Sequence, residues 1–157
     1  MPFTHTCTGT NNCFCSVKKI FSIQENKKRF QINNPKQINI CQYKVDGCIF
    51  RPGTSDLRCD AAFTLYENQE NVKSITTILL VELKGSDVLH AAEQISETYD
   101  FISRPLNDLR PKPTTKAYIV SSRTPSATQS DYLKAKINLK KKNIDLHQSR
   151  LQYTYDV

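Results

Sequence analysis

The chain has 157 residues, 18.0 kDa, with 38% hydrophobic and 24% charged residues and a net charge of +7. That is enough for one hydrophobic core, and too apolar for a disordered chain. No apolar run nears the ~20 residues that span a bilayer, and MPFTHTCTGT has neither the charged nor the apolar region of a secretory signal. The expected compartment is therefore the cytoplasm, and the basic excess admits a polyanionic partner without demanding one.

In chain order, the first fifteen residues read as irregular, and HTCTGTNNCFC offers His5, Cys7, Cys13 and Cys15 as soft ligands for a structural Zn²⁺. Their spacing matches none of the usual paired zinc patterns. Without a signal peptide all six cysteines are expected as free thiols, with Cys41, Cys48 and Cys59 as small core residues. SVKKIFSIQENKKRF predicts a helix, because Val17, Ile20, Phe21 and Gln24 or Glu25 follow a 3–4 spacing behind a capping Ser16. Three strands follow, INICQYKVDGCIF (38–50), LRCDAAFTLY (57–66) and SITTILLVEL (74–83), separated by turn-forming stretches. SDVLHAAEQISETYDFI (86–102) then switches to a helical stripe capped by Ser86 or Asp87. KAYIVSS (116–122) reads as a buried parallel strand, SDYLKAKINLKKKN (130–143) as a basic helix and SRLQYTYDV (149–157) as an edge strand. The order α-β-β-β-α-β-α-β gives an α/β sandwich around a mixed central sheet.

Three residues do not suit the hairpin of 57–83: Asp60 in its first strand, and Glu82 and Lys84 at the end of its second. Glu82 and Lys84 share one face of their strand. Opposed positions of an antiparallel pair sum to a constant. At 142, Asp60 and Glu82 are direct neighbours; at 141, one residue of slip sends them to opposite faces. Hydrophobic pattern does not choose between these registers, because apolar residues occupy both faces. Two adjacent carboxylates repel unless a cation joins them. Mg²⁺ suits hard oxygen donors, Lys84 suits an attacking water or a developing negative charge, and Gly85 before a helix N-terminus admits a phosphate. The same three residues also suit a surface ion-pair cluster.

The Asp60 strand, the Glu82-Leu83-Lys84 strand, a helix and a parallel strand together resemble the core of the PD-(D/E)xK nuclease superfamily, over about residues 17–123. The resemblance implies a restriction-endonuclease-like three-layer sandwich and a Mg²⁺-dependent endonuclease, with Mn²⁺ able to substitute. It assigns metal binding to Asp60, Glu82 and the Leu83 carbonyl, and water activation to Lys84. Cys59 stands where the family name has proline. Relatives carry a glutamate on the first helix and some a glutamine after the lysine strand. These map onto Glu25, which equally suits an ion pair with the neighbouring lysines, and Gln94.

Asp46, in KVDGC, suits a bulge, or a third carboxylate near the cleft. The implied partner is DNA, gripped through Lys134, Lys136, Lys140, Lys141 and Lys142, with Arg123 as a further phosphate contact or a plain surface arginine. A chain this small calls for a homodimer or larger complex to cut both strands specifically. Two rival readings stand beside this one: an inactive nuclease-fold module binding nucleic acid or protein, and an adaptor stabilised by zinc.

Overall fold

The computed structural model describes residues 13–50, 57–67, 72–84, 86–123 and 129–157. It is a strand-rich α/β structure with two sheets. The larger is built from β1 (Cys13–Ser16), β4 (Ile40–Lys44), β5 (Ala61–Tyr66), β6 (Ile75–Lys84), β7 (Thr114–Ser121) and β8 (Ile144–Arg150), in that spatial order. From β1 to β6 neighbours are antiparallel, while β6, β7 and β8 run parallel. Helices α1 (Val88–Ser103) and α2 (Gln129–Lys140) make the two parallel connections. The smaller sheet joins β2 (Ile20–Glu25), β3 (Lys28–Asn33) and β9 (Gln152–Asp156) in the order β2-β3-β9.

The central strands are buried on both faces, which explains their nearly unbroken apolar run. Ile78 and Leu80 of β6 pack with Val88, Ala91 and Ile95 of α1. Leu79, Val81 and Leu83 pack instead with Phe21, Phe30 and Ile32 of the small sheet. The large sheet is thus covered by helices on one side and by a second sheet on the other. Aromatic contacts fix that second layer, with the Phe30 ring 5.7 Å from Phe63, 5.1 Å from Tyr118 and 6.0 Å from Tyr153.

The expected first helix is a hairpin. Phe21 and Ile23, and Phe30 and Ile32, alternate along their strands and turn one face inward, so the period is two and not 3.6. Asn26 and Lys27 join the strands with φ of 46° and 65°, the left-handed pair of a tight two-residue turn. The element order therefore opens with strands, and the order α-β-β-β-α-β-α-β is corrected accordingly. IDLHQSR also forms a strand, β8. Leu151, at φ 63°, breaks the chain there, so that β9 joins the other sheet.

The free-thiol expectation is corrected too. Cys13 is bonded to Cys48 and Cys15 to Cys41, while Cys59 remains a buried free thiol. Alternation puts Cys13 and Cys15 on one face of β1, and the β1–β4 register sets Cys15 directly opposite Cys41. Among the described residues no helix is long and apolar enough to cross a membrane.

Candidate active site

The β5–β6 ladder pairs Ala61 with Val81 and Ala62 with Leu80, a sum of 142, and this register brings Asp60 beside Glu82. The backbone N–H of Asp60 donates to Glu82 Oε2 at 3.0 Å, and the N–H of Leu83 donates to Asp60 Oδ2 at 2.7 Å. Each carboxylate is thereby held by the main chain of the other strand, with one oxygen engaged. Hydrogen bonds from a fixed main chain orient the carboxyl oxygens they reach. In extended backbone a residue presents N–H and C=O to the same side, so the Leu83 carbonyl is directed toward Asp60 as well. Lys84 Nζ lies 3.7 Å from Glu82 Oε1, its side chain 36% exposed against 2% for Glu82.

The main chain of Asp60 is tied on the other side too, because its carbonyl accepts from the N–H of Val45 at 3.1 Å. Helix α1 anchors the two preceding residues. Gln94 Nε2 donates to the Arg58 carbonyl at 2.8 Å, and the Cys59 N–H donates to Thr98 Oγ1 at 3.0 Å. Thr98 in turn donates to the Gln94 carbonyl at 2.8 Å, so two buried polar residues one turn apart form a single clamp. Gln94 supports the strand bearing Asp60 through Arg58, and makes no hydrogen bond to the carboxylates themselves.

A cleft of about 620 Å³ opens over this point, lined by Glu25, Lys44, Asp46, Arg58, Asp60 and Leu83 among others. Glu25 reaches it from the end of β2, not from a helix. Asp46 pairs with the buried Arg58 at 2.5 Å, and Gly47 at φ 92° makes the bend that turns the chain there. The Asp-Gly pair is thus a bend whose carboxylate also borders the cleft.

Burial, then the neighbouring charge of Asp60, pushes the Glu82 carboxyl up to about 8, against the pull of Lys84 and of the Asp60 amide. Asp60 is raised as well, first by burial. The Leu83 amide, Lys84 and Lys28 oppose that shift, and Glu25 adds to it. Lys28, only 6% exposed, sits across the hairpin turn from Glu25. The two acids therefore resist carrying two negative charges without a cation.

Two rigidly held carboxylates and a backbone carbonyl form a hard-oxygen donor set that suits Mg²⁺, which keeps most of its shell for water and phosphate. Among the described residues no group of three His, Cys, Asp or Glu side chains is placed to hold a metal ion, and Glu25, which shares the cleft with Asp60, raises the Asp60 carboxyl through its charge. Gly85 lies outside the described residues. So do His5 and Cys7, and the disulfides of Cys13 and Cys15 leave those sulfurs without the thiolates that zinc requires.

The expected basic residues do not converge. Arg123 is exposed, two residues beyond Ser121, which pairs with Lys84 across β6 and β7; it lies at the acidic pair's end of the sheet. Lys140, Lys141 and Lys142 follow α2 to the opposite end, where β8 begins. There Lys140 pairs with Asp145 at 2.6 Å, and Lys142 with Asp100 at 2.7 Å. Lys134 and Lys136 are exposed along α2, with Lys136 over the Tyr132 ring.

Sequence reading missed Thr98, Arg58 and Lys28. Thr98 carried a usable signal, being four residues after Gln94 and hence on the same helix face. Comparison with protein-family models, with curated proteins and with solved structures gives no match to this chain.

Proposed function

We propose that the chain is a metal-dependent nuclease of the PD-(D/E)xK type that hydrolyses DNA phosphodiester bonds. The observation that carries this reading is the reciprocal main-chain lock on Asp60 and Glu82, with the Lys84 ammonium beside them. Element order supports it: the antiparallel meander β4–β5–β6 leads through α1 to the parallel strand β7, the sequence of elements in that superfamily's core. A hairpin in place of the first helix is then this chain's own variation.

Asp60, Glu82 and the Leu83 carbonyl would hold Mg²⁺ or Mn²⁺. Bound there, the ion supplies positive charge to a phosphoryl oxygen and makes a bound water more acidic. Lys84, on the same face and partly exposed, holds the attacking water by its lone pair and meets the negative charge that grows on the phosphate. Glu82 releases its proton to become a ligand. Gln94 and Thr98 keep the Asp60 strand from drifting, a positioning role.

The test is nicking of supercoiled plasmid and branched DNA with Mg²⁺, with Mn²⁺ or with EDTA. Wild type is expected to nick with either metal and not with EDTA, and Asp60→Ala, Glu82→Ala and Lys84→Ala to fall to background. Equal activity in wild type and Asp60→Ala overturns the assignment.

A further inference from the structure

A second cleft of about 610 Å³ adjoins the first. It is lined by Gln24, Lys27, Arg29, Arg150, Leu151 and Gln152, and Gln24 borders both clefts. Three of its six lining residues are cationic and none is acidic. The donors come from separate parts of the chain: the hairpin turn, the start of β3 and the junction of β8 with β9. Their spacing in sequence therefore gave no hint of the cluster.

The floor of this notch is rigid and connected to the acidic site. The Arg29 N–H donates to the Leu151 carbonyl at 2.8 Å, and Arg29 sits beside Gln152 in the parallel β3–β9 ladder. The Leu151 N–H donates at 2.8 Å to the carbonyl of Ser121, the residue that pairs with Lys84. Two main-chain hydrogen bonds and one ladder pairing thus connect Arg29 to Lys84 through Leu151 and Ser121. The Arg29 guanidinium is oriented by a 2.6 Å bond from Nη2 to Gln31 Oε1. Guanidinium groups fixed on a firm floor suit phosphate oxygens, which they meet with paired N–H donors. The basic end of α2 differs in both respects: Lys140 and Lys142 are occupied by acids of their own, at the opposite end of the sheet.

We propose that this notch is a second phosphate seat, which holds the sugar-phosphate backbone of a polynucleotide on its way from the cleft at Asp60 over the β2–β3 hairpin. The seat deepens the nuclease reading and rests on it for the identity of the polymer. It moves the main grip from α2 to the hairpin and the β8–β9 junction.

The experiment uses the full chain in EDTA, where binding is separated from cleavage, with fluorescent single-stranded DNA, duplex DNA and RNA as probes. Salt titration of the dissociation constant is compared for wild type, Arg29→Gln/Arg150→Gln and Lys140→Gln/Lys141→Gln, with circular dichroism confirming that each is folded. Each phosphate contact contributes about 0.9 to the log–log salt slope on duplex and about 0.7 on a single strand. The arginine double variant should therefore lose about 1.4–1.8 of slope and bind at least about tenfold more weakly at moderate salt, while the lysine pair, which removes the same charge, keeps the wild-type slope. Equal losses in the two variants, or a loss in the lysine variant alone, overturn the seat. A wild type that binds none of the three polymers removes the seat and the nuclease reading together. Arginine-dependent binding by a chain that nicks nothing removes the nuclease reading alone.

Discussion

At residue 82 a carboxyl sits almost wholly out of water, next to another carboxyl, and this sets a measurable pH behaviour. Its proton is held in the native state up to about pH 8, whereas an unfolded glutamate loses it near pH 4.5. A group raised in this direction contributes its full stability below the unfolded value, and that contribution drains away as pH climbs through the folded one. Between about pH 4.5 and 8 the unfolding midpoint of the metal-free protein should therefore fall, and Asp60, raised too, adds to the slope. Glu82→Gln should flatten this dependence, which thermal unfolding across that range reads directly. A slope unchanged in the variant would mean that Glu82 is ionised in the native state throughout. At the proposed metal site the same linkage would set Mg²⁺ in competition with protons. Added at millimolar concentration, it should raise the midpoint more at pH 8 than at pH 6, and that difference should vanish in Asp60→Ala.

Among the elements, α1 is where position and chemistry meet. It packs on the large sheet through Ala91 and Ile95 and sends Gln94 and Thr98 to the backbone just before Asp60. Gln94→Ala leaves the Arg58 carbonyl without this donor in a buried place, which should cost about 1–3 kcal/mol in denaturant unfolding. It should also weaken Mg²⁺ binding by calorimetry, while Ser96→Ala, on a more exposed part of the helix, should leave metal affinity unchanged. Much at this level was legible in the sequence. The carboxylate alignment followed from one arithmetic rule, once a 142 register was assumed for the turn between β5 and β6. The stripe of Val88, Ala91 and Ile95 placed α1 within a residue or two. The β2–β3 hairpin was hidden because Val17, Ile20 and Phe21 satisfy helical spacing by accident, and the alternation of Phe21 with Ile23 is too short to outvote it. β8 was missed because IDLHQ, between the basic helix read to residue 143 and the edge strand read from 149, is too short and polar an alternation to stand out. The disulfide partners were beyond reading, since only tertiary pairing brings Cys13 and Cys15 to Cys48 and Cys41.

Over the whole molecule the two ends of the large sheet differ. One gathers Asp60, Glu82, Lys84 and the notch with Arg29 and Arg150; the other carries Lys140 at the end of α2 and Lys142 just beyond it, paired with Asp145 and Asp100. The edge strand β1, four residues long, is fastened to this body by two disulfides that close separations of 35 and 26 residues. Cross-links of this size typically contribute about 2–4 kcal/mol each, though the cost of reducing both is not simply additive. Thermal unfolding with and without a thiol reductant should show a clear drop in midpoint, and Cys15→Ser/Cys41→Ser should reproduce part of it; an unaffected midpoint would mean that β1 adds little to the fold. One further consequence follows from β9. The hairpin that bears Glu25, Lys28 and Arg29 has its inner edge completed by the last strand of the chain, with the Val157 N–H reaching the Asn33 carbonyl at 3.1 Å. Synthesis proceeds from the N-terminus, so a ribosome-bound chain can align its acidic pair long before the strand that seats the hairpin has emerged. The notch between Arg29 and Gln152 is therefore complete only once β9 has paired with β3.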